Sequence, residues 1–171
     1  MDNPPAFRET QSFSPWLLFP LQIGSVAFPA FILYASRGNL PLPAWLVLGG
    51  AFSIVFYLAY GMRLVTEVRA DGLYVRLTPL PFRRVPFPSI RSAEVRTYRP
   101  ILEYGGWGLR YSWKQGTAYN ARGNRGVQLV LANGKRLLIG SQKPEELLEA
   151  LSSRLGPETR PPQPATTTGG P

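Results

Sequence analysis

Residues 16–61 read WLLFPLQIGSVAFPAFILYASRGNLPLPAWLVLGGAFSIVFYLAYG, and this stretch decides how the chain is organised. Within and around it, the 27 residues from Thr10 to Ser36 and the 25 residues from Gly38 to Met62 carry no charge, and Arg37 stands alone between these runs. A helix needs roughly 20 apolar residues to cross a hydrocarbon core about 30 Å thick. Because both runs exceed that length, the sequence predicts a transmembrane hairpin of two helices over residues 16–61.

The predicted spans cover Trp16–Ala35 and Ala44–Gly61, and the turn Ser36–Pro43 between them is too short to hold a domain. Gly49 and Ser53 are four residues apart in the second span, where small residues let two helices approach closely. Such a hairpin returns the chain to its starting side. The remaining residues are therefore expected to form one domain against one membrane face.

Positive charges near the spans predict the orientation of the hairpin. The turn carries Arg37 alone, whereas Arg8 precedes the first span and Arg63, Arg69 and Arg76 follow the second. Because positively charged flanks stay on the cytoplasmic side, both termini are expected to be cytoplasmic.

The composition excludes many chemistries. The chain has no Cys and no His, so it offers no disulfide, thiolate nucleophile, imidazole base or Cys/His zinc site. Glu103, beside a glycine-rich segment, is the one carboxylate worth testing for catalysis, and it lacks a paired acid or base. The sequence therefore predicts a protein that is not an enzyme and holds no cofactor or metal.

The basic residues are concentrated after the spans. Residues 62–156 hold 16 Lys and Arg against 7 Asp and Glu, which accounts for the whole net charge of +9. A basic domain beside a membrane favours contact with anionic lipid head groups. Nucleic acid is the competing polyanion, and it is disfavoured because no nucleic-acid-binding motif organises these residues.

Short runs with period two replace the apolar pattern from Arg63 onwards, and the eight candidate segments predict a domain of about seven antiparallel strands. Asp71-Gly72 and Asn133-Gly134 are strong hairpin turns between such runs. Pro86 weakens the strand prediction for the run Phe82–Phe87. The predicted strand segments are Leu64–Ala70, Leu73–Thr78, Phe82–Phe87, Ile90–Tyr98, Trp107–Trp113, Thr117–Ala121, Val127–Ala132 and Lys135–Gly140.

A C-terminal amphipathic helix is expected to begin near Pro144. Proline suits a first helical turn, and Leu147, Leu148, Leu151 and Leu155 form one apolar face. Residues 1–15 and the Pro/Thr/Gly-rich residues 157–171 are expected to be disordered.

Five ordered motifs carry a resemblance to a known family. They are Tyr104–Gly108, Ala118-Tyr119, Gly126–Leu129, the Asn133-Gly134 turn and Ile139–Leu147. With them, the chain resembles bacterial membrane proteins that join a two-helix anchor to a pleckstrin-homology-like domain. The resemblance implies the inner membrane of a bacterium and, for residues 62–156, a small β-barrel used for binding whose C-terminal helix plugs one end. It implies no catalytic residue and no cofactor.

Two groups of arginines are the candidate binding residues. In one interpretation, both groups form a surface that binds anionic lipid or a protein partner. In the other, the first group is a solvated sheet face and the second is a flexible hairpin tip. The first group is Arg83, Arg84, Arg91, Arg96 and Arg99; the second is Arg122 and Arg125.

The alternating aromatics Trp107, Tyr111 and Trp113 are interpreted as half-buried rings on one sheet face rather than as a stacking platform for bases. Tyr104–Gly108 is interpreted as a turn, because it lacks the helix start of a phosphate-binding loop.

The sequence thus predicts a non-enzymatic integral membrane protein. Its cytoplasmic pleckstrin-homology-like domain would bind a protein partner or anionic lipid at the membrane face. The alternative is an accessory subunit of a membrane transport or envelope-synthesis complex, assembled through the transmembrane hairpin.

Overall fold

A computed structural model describes residues 4–37 and 41–155. The predicted disordered tail 157–171, the first three residues of the predicted N-terminal lead and the centre of the predicted turn between the spans lie outside the described residues.

Nine strands and four α-helices make up the described part of the chain. The helices are α1 (Pro15–Ala35), α2 (Leu42–Gly61), α3 (Pro100–Tyr104) and α4 (Pro144–Ser152). The strands are β1 (Phe7–Ser12), β2 (Arg63–Arg69), β3 (Gly72–Leu77), β4 (Arg83–Pro86), β5 (Ile90–Thr97), β6 (Gly108–Ser112), β7 (Gly116–Asn120), β8 (Arg125–Leu131) and β9 (Arg136–Gly140).

The strands form two sheets and confirm a mixed α+β class. The first sheet has the order β1-β2-β3-β4, and the second has the order β5-β8-β9-β7-β6. The two sheets do not close into one barrel, which differs from the predicted architecture. The prediction that all strands are antiparallel was also wrong, because β7 and β9 pair in parallel. The β8–β9 hairpin places β9 between β7 and β8, so the connection from β7 to β8 has to cross β9.

Strand β1 corrects the prediction that residues 1–15 are disordered. It pairs with β2 in antiparallel register from Phe7↔Val68 to Ser12↔Arg63. Phe7 is buried in the core, and the buried Gln11 donates from Nε2 to the carbonyl oxygen of Gly140 at 2.9 Å. The alternation of inward and outward side chains, rather than overall apolarity, makes this polar segment a strand.

The β1–β2 pairing fixes the start of α1 and the end of α2 beside each other. The chain leaves the first sheet at Ser12, passes through α1 and α2, and returns at Arg63 directly opposite Ser12. Phe13 and Met62, which border the two helices, pack against the core of the sheets. The base of the helices and the sheets therefore share one apolar interior.

Helix α1 continues through Pro20 and Pro29. Among the described residues, Leu18–Ala35 is the one helical segment long and apolar enough to cross a membrane, and the apolar part of α2, Leu42–Tyr57, is shorter. The rings of Phe28 and Phe52 meet with centroids 5.9 Å apart across the two helices.

Both predicted hairpin turns and the C-terminal helix are confirmed. The Asp71-Gly72 turn joins β2 to β3, and the Asn133-Gly134 turn joins β8 to β9. Helix α4 begins at Pro144, buries Leu147 and Leu151, and contacts strands of both sheets. The helix therefore bridges the sheets on the side of β1, β2, β5 and β8.

Strand β9 lies between two apolar clusters. Leu137 and Ile139 belong to the main core between the sheets, whereas Leu138 packs with Tyr98 and Tyr104 on the opposite face. Burial raises the pKa of both tyrosines above the usual value for a phenol, so both stay neutral at physiological pH. The second cluster fastens α3 to the outer face of the second sheet.

Substitutions at adjacent residues of β1 test its place in the core. Phe7→Ala is expected to lower the free energy of unfolding by about 3 kcal/mol, because it leaves a cavity under the first sheet. Arg8→Ala is expected to cost less than about 1 kcal/mol, because Arg8 is exposed and its buried partner, Glu67, keeps a second ion pair with Arg69 at 2.6 Å. Chemical unfolding of the full-length protein in detergent measures both changes. Equal, near-zero effects would indicate a disordered N-terminal segment.

Candidate functional site

The first predicted arginine group is divided by the fold. Arg83 pairs with Val75 and Arg84 pairs with Tyr74, so the two consecutive arginines point to opposite faces of the first sheet. Arg91 lies in the second sheet, where the register of β5 shifts between Ile90 and Ser92. The five arginines do not form one surface.

Arg84 belongs to a small exposed network at the β2–β3 turn. Its guanidinium approaches the carboxylate of Asp71 at 2.9 Å. The hydroxyl of Tyr74 donates to the same carboxylate at 2.7 Å and is the main cause that lowers the pKa of Asp71. Arg84 is thereby engaged in holding the turn.

Arg96 is engaged within the protein. It forms an ion pair with Glu103 and donates to the side-chain oxygens of Gln115 at 3.3 Å and Gln128 at 3.2 Å. The side chains of Arg96 and Glu103 are 28% and 20% exposed, so the pair is partly buried.

Glu103 is held from two sides. Besides its ion pair with Arg96, its carboxylate accepts a hydrogen bond from the backbone N–H of Arg99 at 2.8 Å. The carboxylate that the sequence singled out for catalysis therefore anchors the first turn of α3 to the sheet.

The second predicted group, Arg122 and Arg125, lies beside the start of α4. Arg125 forms an ion pair with Glu145, whose pKa is lowered first by a hydrogen bond to its own backbone and next by Arg125. The carbonyl oxygen of Arg122 accepts from Nε2 of Gln142 at 3.3 Å. Arg122 lies in the loop between β7 and β8. Because β9 separates these two strands in the sheet, the loop is a crossover connection, and the prediction of a hairpin tip was wrong.

Exposed apolar side chains gather in a few segments of the two-sheet domain. Outside α1 and α2, the large apolar side chains described as exposed come from the β3–β4 loop, α3, β6 and the turn after β6. We call this set the apolar rim. It comprises Leu80, Ile101, Leu102, Leu109, Tyr111 and Trp113.

The aromatic residues of the rim are far more exposed than predicted. Tyr111 is 65% exposed and Trp113 is 93% exposed, and their rings meet edge to face at 5.9 Å. The expectation of half-buried rings holds for Trp107 and was wrong for Tyr111 and Trp113. The reason is that β6 is the edge strand of its sheet, where neighbouring side chains on one side are lacking.

The glycine-rich segment ends α3 and turns the chain into β6, as the turn interpretation predicted. Gly105 has φ 72°, the left-handed conformation of a helix C-terminus, and its N–H donates to the carbonyl of Ile101 at 2.9 Å. The indole N–H of Trp107 donates to the carbonyl of Gly123 at 3.1 Å. Helix α3 itself was not predicted, although Pro100 at its start and Gly105 at its end are signals for a short helix.

A groove of about 840 Å³ opens where the long helices meet the two sheets. Its first wall is the helix base, formed by Phe13, Leu18 and Met62. The end of β3 and the loop after it provide Leu77 and Leu80.

The wall opposite the helix base comes from α3 and β6. Ile101, Trp107, Leu109 and the backbone of the intervening glycines form it. Three rim residues, Leu80, Ile101 and Leu109, therefore line the same groove as the helix base.

Arg110 is the charged residue in the lining of this groove. Its Nε donates to the carbonyl oxygen of Trp107 at 2.9 Å, and the described residues offer its guanidinium no carboxylate within ion-pair distance. Arg99 and Lys114 flank the α3 and β6 part of the rim in sequence, and Glu103, the one acid between them, is paired with Arg96. The apolar rim therefore carries a positive surplus.

Substitutions of Arg96 and Arg91 test which arginines stabilise the fold and which only lie on its surface. Arg96→Met is expected to destabilise the protein by about 2 kcal/mol, because it leaves the partly buried carboxylate of Glu103 without its cation. Arg91→Met is expected to change the free energy of unfolding by less than about 0.5 kcal/mol, since the residue is exposed and lacks an ion pair among the described residues. Chemical unfolding in detergent measures both; equal losses would contradict this assignment.

Comparison with protein families covers most of the chain. The profile of a family of unknown function (DUF6141) matches residues 13–156, so the chain belongs to this family. The match takes in α1, α2 and strands β2 to β9, whereas β1 precedes it. No curated protein and no solved structure matches the chain.

Proposed function

We propose that this member of DUF6141 is a membrane-anchored, non-catalytic binding protein. In this proposal α1 and α2 form a transmembrane hairpin in a bacterial inner membrane, and both termini are cytoplasmic. The two-sheet domain then binds the anionic lipid surface at the cytoplasmic face. The observation that carries the proposal is the apolar rim, which shares a groove with the base of the apolar helices.

The anchor is supported by the exposure of apolar side chains along both helices. Val26 and Val47 are about 70% exposed, and Phe31 and Ile54 are also exposed. Apolar surface of this extent needs hydrocarbon or another protein as its surroundings. The Ser12↔Arg63 pairing supports a hairpin that returns to its starting side, because it holds the start of α1 and the end of α2 at the same end of the β1–β2 ladder.

Contact with lipid is supported by the chemistry of the rim. Tyr and Trp favour the boundary between water and hydrocarbon, where the ring is apolar and one end is polar. Basic residues beside such rings add attraction to anionic head groups of about 1 kcal/mol each. Arg110 lines the groove with rim residues, and Lys114 directly follows Trp113.

A pleckstrin-homology-like relationship remains an interpretation within this proposal. Two sheets bridged by a C-terminal helix are compatible with an opened form of such a barrel. Binding of lipid by the rim would differ from binding through a pocket between the first two strands, because the Asp71-Gly72 turn leaves little room for one.

A non-catalytic role is supported by the engagement of Glu103 and by a sequence without Cys or His. The alternative is an accessory subunit of a membrane complex, assembled through the helices. A second groove between α1 and α2, lined by Ser25, Phe52 and Tyr57, gives that alternative a surface. Both functions need the same anchor, and they differ in whether the rim meets lipid.

Single cysteines test the anchor, since the natural chain has none. Arg37→Cys, between the helices, is expected to react with a membrane-impermeant maleimide applied to intact spheroplasts. Ala70→Cys, exposed at the end of β2 remote from α2, is expected to react only after permeabilisation. Two positions labelled from the same side would contradict a hairpin that crosses the bilayer.

Spin labels test the contact of the rim with lipid. In the full-length protein in anionic nanodiscs, labels at Leu102→Cys and Trp113→Cys are expected to be more accessible to oxygen than to a water-soluble nickel reagent, as at interfacial depth. The label at Ala70→Cys is the control. Strand β2 separates this position from the end of α2 by about 23 Å, at roughly 3.3 Å per residue. Water-like accessibility at all three positions would favour the accessory-subunit alternative.

A further inference from the structure

The groove between the helix base and β6 provides a specific site beneath the rim. We propose that it binds one hydrocarbon chain of an anionic bilayer lipid and that Arg110 contacts the head group. This inference rests on the proposed function, because it takes the helix base to lie at the membrane surface.

The size and lining of the groove fit an apolar chain. Its volume of about 840 Å³ lies within the range of roughly 300–1,000 Å³ that is usual for pockets that enclose small ligands. Phe13, Leu18 and Met62 face it from the helix side, and Leu109 faces it from β6. Hydrocarbon placed there would remove apolar surface from water on both walls.

The position of the groove gives hydrocarbon a route of entry. Leu18 lies in the first turn of α1, and Met62 directly follows α2. The groove therefore begins where the two apolar helices end. If the helices span the bilayer, a lipid chain reaches the groove by lateral movement, and its head group stays at the water interface.

The charge at the groove selects an anionic occupant. Arg110 is the charged side chain of the lining, and one of its N–H groups is used by the carbonyl of Trp107. That bond orients the guanidinium and leaves its terminal nitrogens for another acceptor. A phosphate oxygen of a lipid head group matches this donor, and the groove lining contributes no carboxylate to oppose it.

Photolabelling of the full-length protein tests this site. The probe is phosphatidylglycerol with a diazirine near the end of one acyl chain, mixed into nanodiscs, and mass spectrometry locates the labelled residues. We expect labels on β6 near Leu109 and on the segment around Phe13, in addition to labels along α1 and α2.

Two variants narrow the groove from different walls. Leu109→Trp and Leu80→Trp are each expected to reduce the β6 label about fivefold or more, because the indole occupies the volume needed by the chain. Ala70→Trp adds the same ring at a remote turn and is expected to leave the label unchanged. Circular dichroism and melting in detergent identify any variant that fails to fold, and the second variant then provides the test.

The role of Arg110 is tested by lipid selectivity. Arg110→Gln is expected to reduce the preference of the β6 label for phosphatidylglycerol over phosphatidylcholine by about fivefold. Labels confined to α1 and α2 would overturn the groove site and leave the anchor and the interfacial rim intact.

Discussion

The antiparallel ladder between β1 and β2 joins two segments that lie on either side of a long helical insertion. Closing a loop of this length has an entropic cost, which side-chain contacts must offset. Phe7 supplies an apolar contact from β1, and Gln11 bonds to the end of β9. The carboxylate of Glu9 accepts hydrogen bonds from the hydroxyl of Ser141 and from the backbone N–H of Gln142. Strand β1 therefore closes the insertion and also ties the first sheet to the second.

The open groove follows from the way this closure is arranged. Helix α4 contacts β1 and β2 in the first sheet and β5 and β8 in the second, and thereby bridges the sheets on one side. Strand β6 is at the other edge of the second sheet, away from β5 and β8. The space beside β6 is bounded by Phe13, Leu18 and Met62 from the helix base. The fold therefore leaves an apolar groove beside the start of α1 and the end of α2.

Sequence patterns predicted the parts of the fold that depend on neighbours in the chain. Two glycine turns and the apolar face of α4 are local signals, and they appear where expected. Strand β1 depends on partners more than fifty residues away, and the parallel pairing of β7 with β9 depends on a crossover, so neither has a local signature. The fold distributes the first arginine group over different surfaces, because residues that are close in sequence need not be close in space. In a strand, adjacent residues such as Arg83 and Arg84 face opposite ways.

The distribution of charge explains why the rim, rather than a basic patch, is the better candidate surface. Much of the positive charge is used internally: Arg96 and Arg125 hold carboxylates, and Arg76 stacks over the ring of Phe82 at 4.3 Å. Each basic residue near an anionic membrane adds about 1 kcal/mol, whereas burial of one large apolar side chain adds about 1.5–3 kcal/mol.

In the proposed membrane contact, burial of the six rim side chains would outweigh the cations beside them in positioning the domain, and the cations would determine which head groups are preferred. The β1–β2 closure strengthens this effect. A domain held at the base of a membrane anchor would meet the bilayer surface at high effective concentration, so individually weak contacts would be enough to orient it.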